Sequence, residues 1–272
     1  MRDWPSGERV ALWGSAVPSD RSWSDGGFRL EPLANGWLVG RFAALDQLGV
    51  PHLVTTLQGP DVQAVRHDTD RVCARIAEVL DLSGAAFLRQ VHGSEVLVCA
   101  SGGLQGQADG LCTTQPGLGL MGKSGDCPLV LMADRRARAV GFAHASWRAT
   151  VAGVVPRLVD RMVGLGCCRE DLVACICPCV EPDCYEVGEE VVQAALTGIG
   201  PHAKAFFRPG PVRPHFDLWA ANVDALRRSG LRGQDIHVAG LCTVCRKDLF
   251  PSHRREGPGA GRFAAMIGLR AR

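Results

Sequence analysis

From residue 86 onward the chain breaks into short apolar runs: AFLRQV, EVLVCA, GLCTT, LGLMGKS, PLVLMAD and AVGFAHA. Each is bounded by Gly, Pro or Asp, and the length and punctuation predict buried β-strands. His52 to Leu57 reads as a strand between Pro51 and Gly59. Apolar residues then recur at Val62, Val65, Val72, Ile76, Val79 and Leu80, a near-helical spacing that predicts one helix from Asp61 to Leu80 with Asp61 as N-cap. A second helical stretch spans Arg148 to about Leu165 and contains Pro156, which starts, kinks or breaks it. Leu172–Cys179 and Ile236–Ala239 read as strands, and Val187–Leu196 and Leu218–Arg228 as helices. The first 45 residues have weak periodicity and one apolar stretch, Trp37 to Leu48, so residues 1–49 are expected to add edge strands or a cap to a core formed by 50–272. No repeat or low-complexity tract interrupts the pattern. The expectation is one α/β domain with a strand-rich centre and helices outside.

Composition narrows the functional classes. The 272 residues are 46% hydrophobic and 21% charged, with 30 basic against 28 acidic residues. Mixed charges and a net +2 argue against nucleic-acid or membrane-surface binding, and the apolar content argues against global disorder. No stretch reaches the ~18 uninterrupted apolar residues of a membrane-spanning helix. The opening MRDWPSGERVALWGS lacks an apolar core before a small-residue cleavage site, so a cytoplasmic location with reduced thiols is expected for the 12 cysteines.

Three segments place a reactive side chain at the end of an apolar strand: His92 after LRQV, Asp126-Cys127 before PLVLMAD, and His144 at the end of AVGFAHA. Strand ends are where open sheets present catalytic groups. Two histidines and a cysteine form a donor set suited to zinc, and three protein ligands leave a fourth position for water or substrate. The same residues also support a metal-free reading, with Cys127 as nucleophile, His144 as its base and Asp126 orienting that base or capping the next segment. The bland alternative is two satisfied core histidines and an inert thiol. Cys242-x-x-Cys245 has half a zinc-knuckle spacing, with Cys175, Cys177, Cys179 and Cys184 as sources of the other half; buried or loop thiols are the simpler reading. HRREGPGAGR, with Arg254, Arg255 and Arg262, suits either an anion-binding loop or a solvated turn. A Walker loop, a dinucleotide fingerprint, a Gly-x-Ser-x-Gly elbow and the zinc-deaminase signature are all absent.

In order, QVHGSEV (90–96), ADGLCTTQPGLGL (108–120), GDCPLVLMAD (125–134), AHASWRATVAGVV (143–155), CYEVGEEV (184–191), FDLWAANVDAL (216–226) and CTVCRKDLFPSHRREG with AGR (242–262) resemble one family. It is the laccase-domain family, also called multicopper polyphenol oxidoreductase, YfiH-like or peptidoglycan-editing factor. The resemblance implies a single α/β domain of mixed sheets flanked by helices, of the cytotoxic-necrotizing-factor-like kind. It implies zinc, with copper as the alternative, on His92, Cys127 and His144. It further implies phosphorolysis of adenosine, inosine or methylthioadenosine, with adenosine deamination as a side activity. Small-molecule partners are therefore expected, nucleoside and phosphate, acting on a monomer or small homo-oligomer. Arg148, with Arg254, Arg255 or Arg262, suits phosphate through forked hydrogen bonds. Other family labels imply copper-dependent phenol oxidation or editing of peptidoglycan precursors, and a re-purposed, inactive member is a further alternative. Laccase chemistry needs several coppers and many His ligands, against eight histidines and no His-x-His pair here. The chain departs from the family's usual pattern in three places. A Ser-Leu-Asn-Leu-Gly-like segment has no counterpart, Lys123-Ser124-Gly125 precedes Asp126-Cys127, and Ser146 and Ala149 flank Trp147-Arg148.

Overall fold

The runs at 118–134 and 139–145 are apolar at both odd and even positions, so strands built from them need cover on both faces. The computed structural model describes residues 27–271 and supplies that cover in four layers. Strands β1 (Phe28–Pro32) and β2 (Leu38–Phe42) lead through helix α1 (Ala43–Gln47) to β3 (His52–Thr55). Helices α2 (Val62–His67) and α3 (Thr69–Val79) follow, then β4 (Gly84–Arg89), β5 (Val96–Val98), β6 (Gly103–Gln107), β7 (Gly110–Thr113), β8 (Leu118–Ser124), β9 (Leu129–Asp134) and β10 (Val140–His144). Helices α4 (Trp147–Val151) and α5 (Val154–Gly164) precede β11 (Leu172–Ile176) and α6 (Glu189–Gly198). The remainder comprises β12 (Phe207–Arg208), β13 (His215–Phe216), α7 (Leu218–Arg228), β14 (Ile236–Val238), α8 (His253–Glu256) and β15 (Phe263–Gly268).

Two mixed sheets stack face to face. One has seven strands in the order β1-β2-β3-β15-β8-β4-β6, the other six in the order β14-β11-β9-β10-β7-β5. Because side chains alternate along a strand, each central strand feeds two cores. Leu118, Leu120, Phe263, Ala265 and Ile267 of the first sheet meet Leu129, Leu131, Val140 and Phe142 of the second. Met121, Ala264 and Met266 face outward onto Val72, Cys73, Ile76 and Ala77 of α3. On the other side Val130, Met132, Ala174 and Ile176 pack against Leu158, Val159 and Met162 of α5 and Trp219 and Val223 of α7. The result is the single α/β domain that the pattern predicts, with the helix-flanked mixed sheets that the resemblance implies.

Several expectations need correction. The helix expected over 61–80 is two helices broken at Asp68, whose φ of −123° and ψ of 56° leave the helical region; Asp61 does cap the first, accepting from the N–H groups of Gln63 and Ala64. The 148–165 stretch is two helices, as its internal proline allows, and only the place of the break differs. Its break is not at Pro156, which sits in the first turn of α5 where its missing N–H has no partner to lose, but at Gly153, held at φ 81°. Strand β11 ends at Ile176 rather than Cys179. Strand β6, GLQGQ, escapes the apolar criterion because it is a half-exposed edge. Residues 28–42 form an antiparallel pair on the edge of the seven-stranded sheet, while the expectations for 1–26 lie outside the described residues. Among the described residues no helix is long and apolar enough to cross a membrane.

Candidate active site and metal centre

Parallel pairing of β4 with β8 brings their C-terminal ends together at one end of the sandwich. There residues 125–128 carry the chain from β8 in one sheet to β9 in the other, and Leu129 pairs with His144, the last residue of β10. His92 sits in the turn after β4. The strand ends thus collect His92, Cys127 and His144, whose ligand atoms lie within 4.8 Å of one another. The two imidazoles meet edge to face with centroids 5.1 Å apart.

The surroundings fix how these groups point. His144 is buried, and its Nδ1 lies 2.8 Å from Oδ1 of Asp109, which is wholly buried. A carboxylate accepts, so Nδ1 carries a proton, and in the neutral ring Nε2 turns its lone pair toward Cys127. The other oxygen of Asp109 accepts from the N–H groups of Gly93 (2.7 Å) and Val91 (3.1 Å). One carboxylate therefore orients His144 and holds the turn that presents His92. His92 is exposed and has φ 61°, a conformation that costs about 1–3 kcal/mol for a non-glycine residue and persists only where neighbours enforce it. Burial drives the Cys127 thiol up, but the neighbouring His144, with help from His92, outweighs this and brings it down to about 7. Burial depresses His144, and the attraction of Cys127 and Asp109 overrides it to reach about 9. Two imidazoles and a readily ionised thiol converging on one point, with a carboxylate behind one imidazole, fit a tetrahedral zinc site with one position open.

Asp126 does not orient His144; Asp109 does. The Asp126 carboxylate accepts instead from the Thr243 hydroxyl and the Arg254 N–H, both at 2.6 Å, and its carbonyl accepts from Val180 N–H. These bonds hold its backbone at φ 130° beside Cys127. Arg255 is also committed elsewhere: its guanidinium donates to the carbonyls of Thr243, Val244 and Phe250. Arg148 and Arg254 are exposed and lie over the rings of Trp147 and Tyr185, at 4.3 and 5.0 Å.

Arg262 does approach the Cys127 loop. A Cβ on Gly125 would lie 3.2 Å from its Nη1, which donates to the Ala260 and Gly261 carbonyls. It is joined there by two cations that sequence reasoning did not collect, Arg66 and Lys123. Lys123 donates to the Arg66 carbonyl and the Thr69 hydroxyl, and its own backbone is clamped to the side chain of Gln90, next to the His92 turn. All three cations are half-buried and none is in an ion pair with a carboxylate among the described residues. Burial, then repulsion from Arg262 and Arg66, lowers the Lys123 pKa; burial, then Arg66, lowers that of Arg262. Arg262 is partly offset by Asp126, Glu256 and Cys127 at longer range, and the three cations together are a donor set of the kind that anions bind. The signals in the sequence were a lysine interrupting the apolar run LGLMGKS and an aspartate at the head of the run GLCTT.

Comparison with known proteins identifies the family. Residues 54–270 match the multi-copper polyphenol oxidoreductase laccase family, and the chain belongs to that family. Its relatives include a purine nucleoside phosphorylase of Deinococcus radiodurans, 34% identical over 82% of this chain and 90% of that one. Another is the adenosine deaminase RL5 of an unknown prokaryotic organism, 30% identical over 67% of this chain and 74% of that protein. The crystal structure of the Bacillus licheniformis hypothetical protein YfiH superimposes with a TM-score of 0.78 at 25% identity, covering 89% of this chain and 99% of that one.

Proposed function

We propose that the protein is a cytoplasmic purine nucleoside phosphorylase, converting a purine nucleoside and phosphate into free base and ribose 1-phosphate, with adenosine deamination as a side reaction. The observation that carries this reading is the convergence of His92, Cys127 and His144 beside the three unpaired cations Arg66, Lys123 and Arg262. Phosphorolysis breaks the bond between the anomeric carbon and the base nitrogen, whose electron pair leaves with the base. It forms a bond from that carbon to a phosphate oxygen. The cations supply what the incoming phosphate needs: charge and forked donors in a half-buried setting that strengthens both. Arg148 and Arg254, exposed on their aromatic supports, are available to the remaining phosphate oxygens or the ribose hydroxyls. His92, Cys127 and His144 would hold zinc, or copper in its place, and zinc when bound supplies Lewis-acid polarisation of a substrate oxygen or water. Asp109 holds the single proton of neutral His144 on Nδ1 and so leaves Nε2 as the position for a ligand bond.

The test is chromatography of products from adenosine and inosine, with and without phosphate, beside Cys127→Ala. Phosphate-dependent release of adenine and hypoxanthine, absent from the variant, is the expected result. If zinc-loaded wild-type protein leaves both nucleosides intact in phosphate, the proposal fails. A second reading draws on the Cys127–His144–Asp109 alignment, which is also that of a thiol hydrolase and its oriented base. It requires activity toward an amide, such as a peptidoglycan precursor, that survives metal removal and is lost on thiol alkylation.

A further inference from the structure

A second cluster of soft ligands lies away from the strand-end site. Glu181 and Cys184 belong to the segment after β11, and Cys242 and Cys245 to the turn after β14. The two segments run side by side: Cys179 N–H donates to the Leu241 carbonyl at 3.2 Å and Thr243 N–H to the Cys179 carbonyl at 3.1 Å. This pairing gathers one ligand atom from each of Glu181, Cys184, Cys242 and Cys245 to within 4.8 Å of one another. The Sγ atoms of Cys184 and Cys245 are 3.5 Å apart, and Oε1 of Glu181 lies 3.5 Å from the first and 2.9 Å from the second. For zinc–sulfur bonds of ~2.3 Å, the edge of a tetrahedron is about 3.8 Å, so these three atoms already stand at roughly the spacing of ligands around one ion, with Cys242 as the fourth. They are far longer than a disulfide bond of about 2.05 Å.

The sulfur of Cys242 carries an independent sign. It accepts from two backbone N–H groups, those of Cys245 at 3.4 Å and Glu181 at 3.5 Å. A neutral thiol is a poor acceptor, whereas N–H groups aimed at a sulfur stabilise a thiolate. Glu181 forms no ion pair among the described residues, and the neighbouring Arg208 and Arg246 pair with Asp183, Asp217 and Asp248 instead. Three sulfurs and a carboxylate are a soft donor set, and the sulfur majority selects zinc over magnesium or calcium.

We infer that Glu181, Cys184, Cys242 and Cys245 form a second, structural metal site that takes zinc. All four positions are supplied by protein, so no open position remains for substrate. The ion would join the segment at 181–184 to the turn at 242–245. That turn bears Thr243, whose hydroxyl donates to Asp126, and Asp126 adjoins Cys127. The site is independent of the proposed catalytic reading, although it stabilises a loop that borders the catalytic pocket.

The decisive experiment measures zinc per chain by mass spectrometry in full-length protein purified without chelator under reducing conditions. Four proteins are compared: wild type, Cys127→Ala, Cys245→Ser and the double variant. Cys245 is exposed, so its replacement spares the core; Glu181→Gln provides a second variant of the same site. About two, one, one and zero ions per chain are expected in that order. Cobalt loaded into Cys127→Ala should give a thiolate-to-cobalt charge-transfer band that Cys245→Ser abolishes. A strong chelator should lower the melting temperature of Cys127→Ala but not that of the double variant. Cys127→Ala without bound metal would overturn the inference, as would a Cys184–Cys245 disulfide found in freshly isolated protein. If instead Cys245→Ser is metal-free while Cys127→Ala binds one ion, the second site stands and the strand-end metal reading fails.

Discussion

Asp109 offers the sharpest test of how the strand-end site is held. Asp109→Asn is nearly isosteric, and its amide oxygen can still accept from the N–H groups of Gly93 and Val91. The amide nitrogen then faces Nδ1 of His144, where a carboxylate oxygen stood at 2.8 Å. Two donors cannot pair, so His144 moves its proton to Nε2, the nitrogen directed at Cys127, and the ring can no longer ligate from there without losing that proton. Replacing such an outer partner of a metal ligand costs about 10–100-fold in metal affinity, or about 1.4–3 kcal/mol. Fold stability of the metal-free protein should fall less, by about 1–2 kcal/mol for one lost charge-assisted bond in a buried setting. Zinc affinity is measured by chelator competition, and metal-free stability by urea unfolding of the same preparations. The reasoning is refuted if Asp109→Asn binds zinc as tightly as wild type, or if its affinity loss is matched by an equal loss of metal-free stability.

Three further outcomes follow from the structure. On the proposed reading, Lys123→Met should raise the KM for phosphate by about tenfold or more while changing metal-free, phosphate-free stability little, because the lost bonds to the Arg66 carbonyl and Thr69 hydroxyl are offset by relief of repulsion from Arg262 and Arg66; steady-state kinetics and melting curves with and without phosphate check both halves. Arg255→Ala should lower stability by about 2–4 kcal/mol through the stranded carbonyls of Thr243, Val244 and Phe250, seen in urea unfolding. His52 is buried between Phe42 N–H and the Val50 carbonyl, and burial lowers its pKa to about 4. The unfolded chain therefore binds a proton that the folded one refuses, so His52 costs nothing above about pH 6.5 and erodes stability as pH falls toward 4, by about 3 kcal/mol in all. His52→Gln, which can keep both hydrogen bonds, should flatten the pH dependence of unfolding in that window by this amount.

Much of the layered core was legible because its evidence is local. Unbroken apolar runs such as PLVLMAD and AVGFAHA announce strands buried on both faces, and Asp61 and Pro156 act within a few residues of themselves. His92, Cys127 and His144 were legible as strand-end residues and as a donor set. Asp109 was not, because its role rests on a partner 35 residues away and on a turn 16 to 18 residues before it. Arg66 and Lys123 were hidden for the same reason, since Arg66, Lys123 and Arg262 come from α2, β8 and the approach to β15. Asp126 and Arg255 looked reactive by residue type, yet their side chains are saturated by the 243–254 loop. Charge and position in sequence do not reveal which donors a backbone has already claimed.

The placement of β15 bears on how the molecule is made. Residues 263–268 are not an edge but the strand between β3 and β8. While the ribosome extends the chain, β3 and β8 emerge long before their shared neighbour and wait with unpaired N–H and C=O groups, the condition in which strands recruit the wrong partner. The seven-stranded sheet closes only after Gly268 is free of the exit tunnel, and Arg262, at the threshold of that strand, reaches the Cys127 loop in the same event. Chains stalled short of this point would carry His92, Cys127 and His144 in full yet lack the insertion that joins the two halves of the sheet. Such nascent chains should be strong clients of holdase chaperones and should acquire protease resistance in one late step.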